Sequence, residues 1–370
     1  MTLRERLERV TWVFRTRAAL GVRPLAAPVM IFIPLGVLLG PQAAAVLSPT
    51  ALAHLDIVIS IALATLGVVV GIAAGREAGA AMRLFIASTV EACVTMIVVA
   101  GAVGILLQTW QVPVAMPVLL VSLALGICAA ASAAYSVDVG DPHARQVAAR
   151  VADLDDVAPI LLGGMVLAIA GSGPAREVGE ATWLTIGLGL SLGVTGWLLV
   201  EGAAGGAERG VFVLGSLALL GGATAYLGLS PLLAGLAAGI LWVVAPGRCD
   251  VIVARELRKV QHPLIVLLLV IAGASLEPTT AGIWLLAPYV IFRCAGKIVG
   301  GWTAARMAPA VAPSDLGAYL IPPGVIGIAF ALNVAQVAPD AATSLVFAVS
   351  AGAIASEALA IVVAPARQAA

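Results

Sequence analysis

Apolar residues run along this chain in long unbroken stretches. They do not alternate as in a half-buried strand, nor form the one-sided stripe of a soluble helix. Twelve such stretches follow one another at about 25–41, 55–74, 84–108, 113–136, 151–170, 182–201, 210–226, 229–245, 262–277, 281–304, 315–335 and 342–364. Each approaches the roughly 20 apolar residues that cross a bilayer as a helix. Composition agrees: 61% of the 370 residues are hydrophobic, 11% are charged, and mean hydropathy is +1.09. Soluble domains average about 45–50% apolar and 25% charged, so a soluble globular protein, a disordered chain, a coiled coil and a collagen are all excluded. The pattern predicts an all-α polytopic membrane protein with about 12 transmembrane helices.

Charge then orients the spans. Residues 1–24 carry Arg4, Arg6, Arg9, Arg15, Arg17 and Arg23 beside Leu3, Leu7, Val10, Val13 and Phe14. That pattern predicts a basic amphipathic segment on the membrane surface, followed by a single transporter-sized membrane unit over 25–370. With the N-terminus in the cytoplasm, all but three of the 20 Lys and Arg residues fall in cytoplasmic segments, as the positive-inside rule requires. Both termini are therefore expected to be cytoplasmic in a plasma (bacterial inner) membrane. The formal net charge is zero, which argues against nucleic acid as a partner. Cys93, Cys128, Cys249 and Cys294 are scattered, a spacing that suggests neither a disulfide framework nor a metal site.

The two ends of the chain echo each other. Val37–Pro41 is matched by Val243–Gly247, and 67–75 by 267–273; Glu91 lies 50 residues after Pro41, and Lys297 lies 51 after Pro246. The first span would run outward and the eighth inward. The expectation is two inverted five-helix repeats, an architecture used by secondary transporters with a midplane site.

Ionisable residues inside the spans are the candidate chemistry, because each costs at least about 2.5–3.5 kcal/mol at the bilayer centre. Asp155 and Asp156 follow Asp153 in the fifth span. Read as one helix, they point about 100° apart, and two neighbouring carboxylates in low dielectric cannot both ionise freely. A monovalent cation or a proton relieves that repulsion, so the pair suits exchange of one for the other. Lys297, one turn after Arg293 in the tenth span, needs a carboxylate partner. Glu91 and Glu357 lie in the third and twelfth spans. Glu91 reads equally as a neutral hydrogen bonder, and Glu357 as a partner of Arg293. Pro322, Pro323 and Gly324 break the eleventh span, and such breaks are tolerated where they line a cavity. The fourth span has small residues with Ser132 and Ser136 but no proline, so its expected break is weaker.

Several segments resemble the monovalent cation/proton antiporters, in the branch with two adjacent aspartates that exchanges Na⁺ for H⁺ electrogenically. Leu154-Asp155-Asp156-Val157, Lys297 in CAGKIVG, Leu320–Ala331, Ser356–Pro365 and Leu229–Gly239 carry the likeness, in order, over nearly the whole chain. The resemblance implies a homodimer with discontinuous crossing helices 4 and 11. It also implies a moving core from spans at about 84–170 and 281–364, and a dimer panel from spans at about 25–74 and 182–277. Asp156 would carry the ion and proton with Asp155 beside it, the two acting as ligands of transported Na⁺ or Li⁺. Lys297 would hold an aspartate in the empty state, and Ser132 sits where many members have a Thr. Supporting positions are Arg293, Glu357, Glu91, Pro322, Pro323 and Gly324. No cofactor beyond the transported ions and protons is expected, and a role in pH homeostasis follows. Ala134 departs from the family's Pro, and Asp138 and Asp153 are extra acids. A K⁺/H⁺ antiporter of the same fold and a sodium-coupled organic-anion symporter remain alternatives. An intramembrane enzyme is disfavoured, because only one aspartate cluster is present.

Overall fold

The computed structural model describes residues 27–80, 82–112, 114, 117–131, 142–171, 178–308, 312–313 and 315–366. The amphipathic segment expected at 1–24, Ser132 and Asp138 lie outside the described residues. Among the described residues there is no strand, only one isolated bridge. The helices are α1 (Pro28–Leu39), α2 (Pro49–His54), α3 (Asp56–Ala80), α4 (Met82–Trp110), α5 (Val118–Ile127), α6 (Pro142–Leu154), α7 (Val157–Gly171) and α8 (Val178–Gly202). They continue with α9 (Gly206–Leu227), α10 (Pro231–Val244), α11 (Cys249–Ala274), α12 (Thr280–Met307), α13 (Leu316–Tyr319), α14 (Val325–Val337) and α15 (Pro339–Ala366).

Each apolar stretch contains helix among the described residues. Among the described residues, seven helices are long and apolar enough to cross a membrane, and four shorter apolar ones accompany them. Local chemistry sets the ends. Ser230 accepts from Leu233 N at 3.3 Å, with Pro231 in the first turn of α10. Thr279 caps α12 through Gly282 N at 3.0 Å. Gly228 ends α9 in the left-handed conformation, φ 64°, which costs glycine little.

Three stretches differ from expectation. The fourth keeps helix only to Ile127 and is extended by Ala131. The fifth starts earlier, at Pro142, and is two helices rather than one, interrupted at Asp155 and Asp156. The ninth begins at Cys249, so the basic Arg255, Arg258 and Lys259 ride on the helix rather than in a loop before it.

Large apolar side chains such as Ile97, Leu119, Trp183 and Val244 are exposed, whereas Glu91, Asp155, Arg293 and Lys297 are buried. This inversion of the soluble pattern is stable when lipid covers the outer surface. Packing is densest within two sets. In one, α3 meets α9 and α10, α10 meets α8, and α1 meets α11; in the other, α12 meets α4 and α15, α4 meets α5, and α14 meets α15.

Close crossings need glycine. A Cβ on Gly36 would lie 2.9 Å from Gly273 Cα where α1 crosses α11, and one on Gly71 would lie 3.0 Å from Gly239 Cα where α3 crosses α10. Backbone-to-backbone approach of this kind drives helix association in lipid. Gly71→Ala is therefore expected to cost about 1–3 kcal/mol by overpacking, read as a lower melting temperature in detergent. Gly101, with nothing within 4 Å of its Cβ position, is the comparison: Gly101→Ala should be neutral or raise it. Equal responses would contradict the close-packing account.

Candidate functional site

Asp155 and Asp156 occupy the turn between α6 and α7. The local cause is Pro159. With no N–H, it cannot donate to the carbonyl four residues back, that of Asp155. The ladder holds on either side: Asp155 N donates to Val151 O at 2.8 Å, and Ile160 N to Asp156 O at 3.1 Å. Pro159 was the available sequence signal, and it corrects the single continuous helix expected there.

Lys297 projects from α12 into this turn. Its Nζ donates to Asp155 Oδ2 at 2.6 Å and to Glu91 Oε2 at 3.2 Å. The lysine side chain is 1% exposed and both acids 0%. Thr95, one turn after Glu91 on α4, donates its hydroxyl to Glu91 Oε1 at 2.9 Å. Glu91 is thus a second hydrogen-bond partner of Lys297, a pairing the sequence did not single out. The clue was the matching place of the two residues in the two halves of the chain. Asp155 Oδ2 also accepts from Ala131 N at 3.2 Å. The remaining oxygens Asp155 Oδ1 and Asp156 Oδ1 are buried without a hydrogen-bond partner. Buried oxygens of this kind are costly and call for an explanation.

Beside the acids, two stretches of extended chain cross. Ala131 pairs antiparallel with Pro323, and Gly324 N donates to Ala130 O at 3.0 Å. Pro322 and Pro323 offer no N–H, so the chain between α13 and α14 cannot be helical. Gly324 is needed because a Cβ there would lie 2.7 Å from Ala131 O, and Gly327 because its Cβ would meet Cys128 O. Carbonyls freed by the breaks are collected by α12. Arg293 donates to Ile321 O at 2.5 Å, Ala130 O at 3.0 Å and Pro322 O at 3.1 Å. Tyr289, one turn earlier, donates its hydroxyl to Cys128 O at 2.8 Å. The guanidinium also faces the carbonyl end of α5, where the helix dipole favours a cation.

The expected ion pair between Arg293 and Glu357 is not made. Arg293 spends its Nη donors on backbone carbonyls, and Glu357, buried on α15, is near it only through space. Asp153 is exposed on the last turn of α6. Among the described residues no group of three or more His, Cys, Asp or Glu converges as a metal site. Two adjacent carboxylates suit a transient monovalent ion better than a resident divalent metal, which takes six or more oxygens as Ca²⁺ or a strict octahedron as Mg²⁺.

An all-helical membrane protein that buries a cluster of opposite charges beside a crossing of unwound chain is the class that fold and site define. No family model and no curated protein matches the chain. Its fold is similar to that of the sodium proton antiporter MjNhaP1 from Methanocaldococcus jannaschii, with a TM-score of 0.61 at 14% sequence identity over 90% of this chain and 92% of that one. The chain therefore shares the fold of that antiporter.

Proposed function

We propose that this protein exchanges a monovalent cation, Na⁺ or Li⁺, for protons across the membrane by alternating access. The observation that carries this reading is the buried Asp155–Asp156 turn. One carboxylate oxygen there is held by Lys297, while an oxygen on each aspartate has no partner. Cation and proton compete for those oxygens, with Asp156 as the carrier and Asp155 beside it. Neither ion needs a cofactor.

The two densely packed sets supply the moving parts. Helices α4–α7 and α12–α15 form the core, and α1, α3 and α8–α11 the panel through which two copies pair. An elevator-type movement of one against the other is eased because few polar contacts join them among the described residues. Gln336 donates to Asp56 O at 2.8 Å and to Ser60 Oγ at 3.2 Å, Ser230 to Asn333 Oδ1 at 3.4 Å, and Arg150 to Glu77 at 2.5 Å. The exchanged partners at the Gly36–Gly273 and Gly71–Gly239 crossings suit two inverted repeats. The positive-inside pattern favours a plasma membrane with both termini cytoplasmic.

The test is a pH-gradient fluorescence assay in liposomes holding the full chain, with Na⁺, Li⁺ and K⁺ added in turn. Dissipation of the gradient by Na⁺ or Li⁺ is expected. A response to K⁺ alone would favour the K⁺/H⁺ exchanger, and none to any cation would refute exchange.

A further inference from the structure

We propose that Glu91 is a second seat for the Lys297 ammonium: when the cation takes Asp155, Lys297 transfers to Glu91 instead of leaving the site. This deepens the exchange reading and rests on it. In the structure the ammonium lies between the two acids and nearer to Asp155, at 2.6 Å against 3.2 Å. A cation arriving at Asp155 competes for the oxygen that Lys297 holds. A displaced ammonium with no other anion would stand alone in low dielectric, which is strongly unfavourable, and Asp155 would then resist giving it up.

Glu91 is built for the alternative. Its Oε1 is fixed by Thr95, leaving Oε2 toward Lys297. The helices bearing the two partners are held together by glycines on either side of the lysine. A Cβ on Gly300 would lie 2.8 Å from Glu91 O and 3.1 Å from Glu91 Oε1, and one on Gly296 would lie 3.2 Å from Thr95 Cα. Helix α4 and helix α12 are therefore in close backbone contact at this level. The other charged groups around the lysine do not offer the same seat. Arg293 has like charge, and Glu357 lies beside Arg293. Asp153 is exposed at the end of α6, and Asp156 is the ion carrier in the exchange reading. Glu91 acts through Lys297, so it is a positioning residue.

The experiment measures the Na⁺ dependence of exchange in liposomes for the wild type, E91Q, E91D, K297Q and E91Q/K297Q. E91Q should raise the KM for Na⁺ about tenfold, the loss of one charge-assisted contact, with a smaller change in kcat. E91D keeps the carboxylate and should raise KM by a smaller factor. In the K297Q background E91Q should add nothing further, as residues acting through one contact are non-additive. An unchanged KM in E91Q, with exchange intact in the wild type, overturns this proposal alone. An equal E91Q effect with and without Lys297 also overturns it, by showing that Glu91 touches the cation itself. No exchange in the wild type overturns the exchange reading and this proposal together. If E91Q cannot be purified folded, E91D decides, and an unchanged KM there counts against the proposal.

Discussion

Asp156→Asn is expected to abolish cation/proton exchange while leaving the protein folded. A cation that sheds water inside the membrane needs anionic oxygen in return, and Asp156 offers a buried one with no partner. An amide cannot alternate between charged and neutral states, so it cannot trade a proton for a cation. Removing one partner of a buried charge contact typically costs about 3–5 kcal/mol, at least roughly a hundredfold in affinity at about 1.4 kcal/mol per factor of ten. Stability should move the other way. Asp156 has the acid Asp155 beside it and Asp153 in the same segment, so neutralising it removes repulsion, and the melting temperature should hold or rise. The wild type should gain stability with added Na⁺, as binding to the folded state requires, and the variant should not. Competition also fixes the sign with pH: in the wild type the KM for Na⁺ rises as pH falls. Exchange that survives in Asp156→Asn would remove this residue as the carrier. Inactivity with a collapsed melting temperature would assign it to folding instead.

The parts of the site that the sequence declared are those with a large local cost. A charge in a run of apolar residues, or two prolines in a span, cannot be placed in lipid without compensation, so Asp155, Asp156, Lys297, Arg293 and Pro322–Gly324 stand out in the sequence alone. Helix positions were equally legible, because about 20 apolar residues have few other uses. What stayed hidden was the second partner. The resemblance implied an aspartate for Lys297, but its contact with Glu91 as well as Asp155 depends on how α4, α6 and α12 rotate against one another. That rotation is set by glycines such as Gly296 and Gly300, whose role appears only when the facing helix is known. The Arg293 assignment to Glu357 failed for a related reason. Charge complementarity suggested an acid, but carbonyls freed at two backbone breaks took the guanidinium first, and one of those breaks carries no proline to announce it. The interruption at Asp155–Asp156 was written in Pro159, whose effect falls four residues upstream of itself.

Arg293 should prove the most important single side chain for the stability of the crossing. Its guanidinium is 0% exposed and satisfies Ile321 O, Ala130 O and Pro322 O together. Each buried carbonyl left unsatisfied costs several kcal/mol in hydrocarbon. Arg293→Ala would orphan all three and leave Glu357 facing no cation. Breaking a buried charged contact from one side typically costs about 3–5 kcal/mol, so a large fall in melting temperature is expected. Arg293→Lys keeps the charge but replaces a planar fork of five donors with a compact ammonium carrying three. It should reach only part of the carbonyl set and recover only part of the stability. Arg293→Met keeps the length and apolar stem without donors, and should behave like Arg293→Ala if hydrogen bonding rather than packing is what the residue supplies. The order expected in a thermal unfolding series is wild type, then Lys, then Met and Ala together. An Ala variant as stable as the wild type would mean that the carbonyls at the crossing are satisfied by water. The crossing would then be open to solvent, and the low-dielectric basis for competition at Asp155 and Asp156 would fall with it.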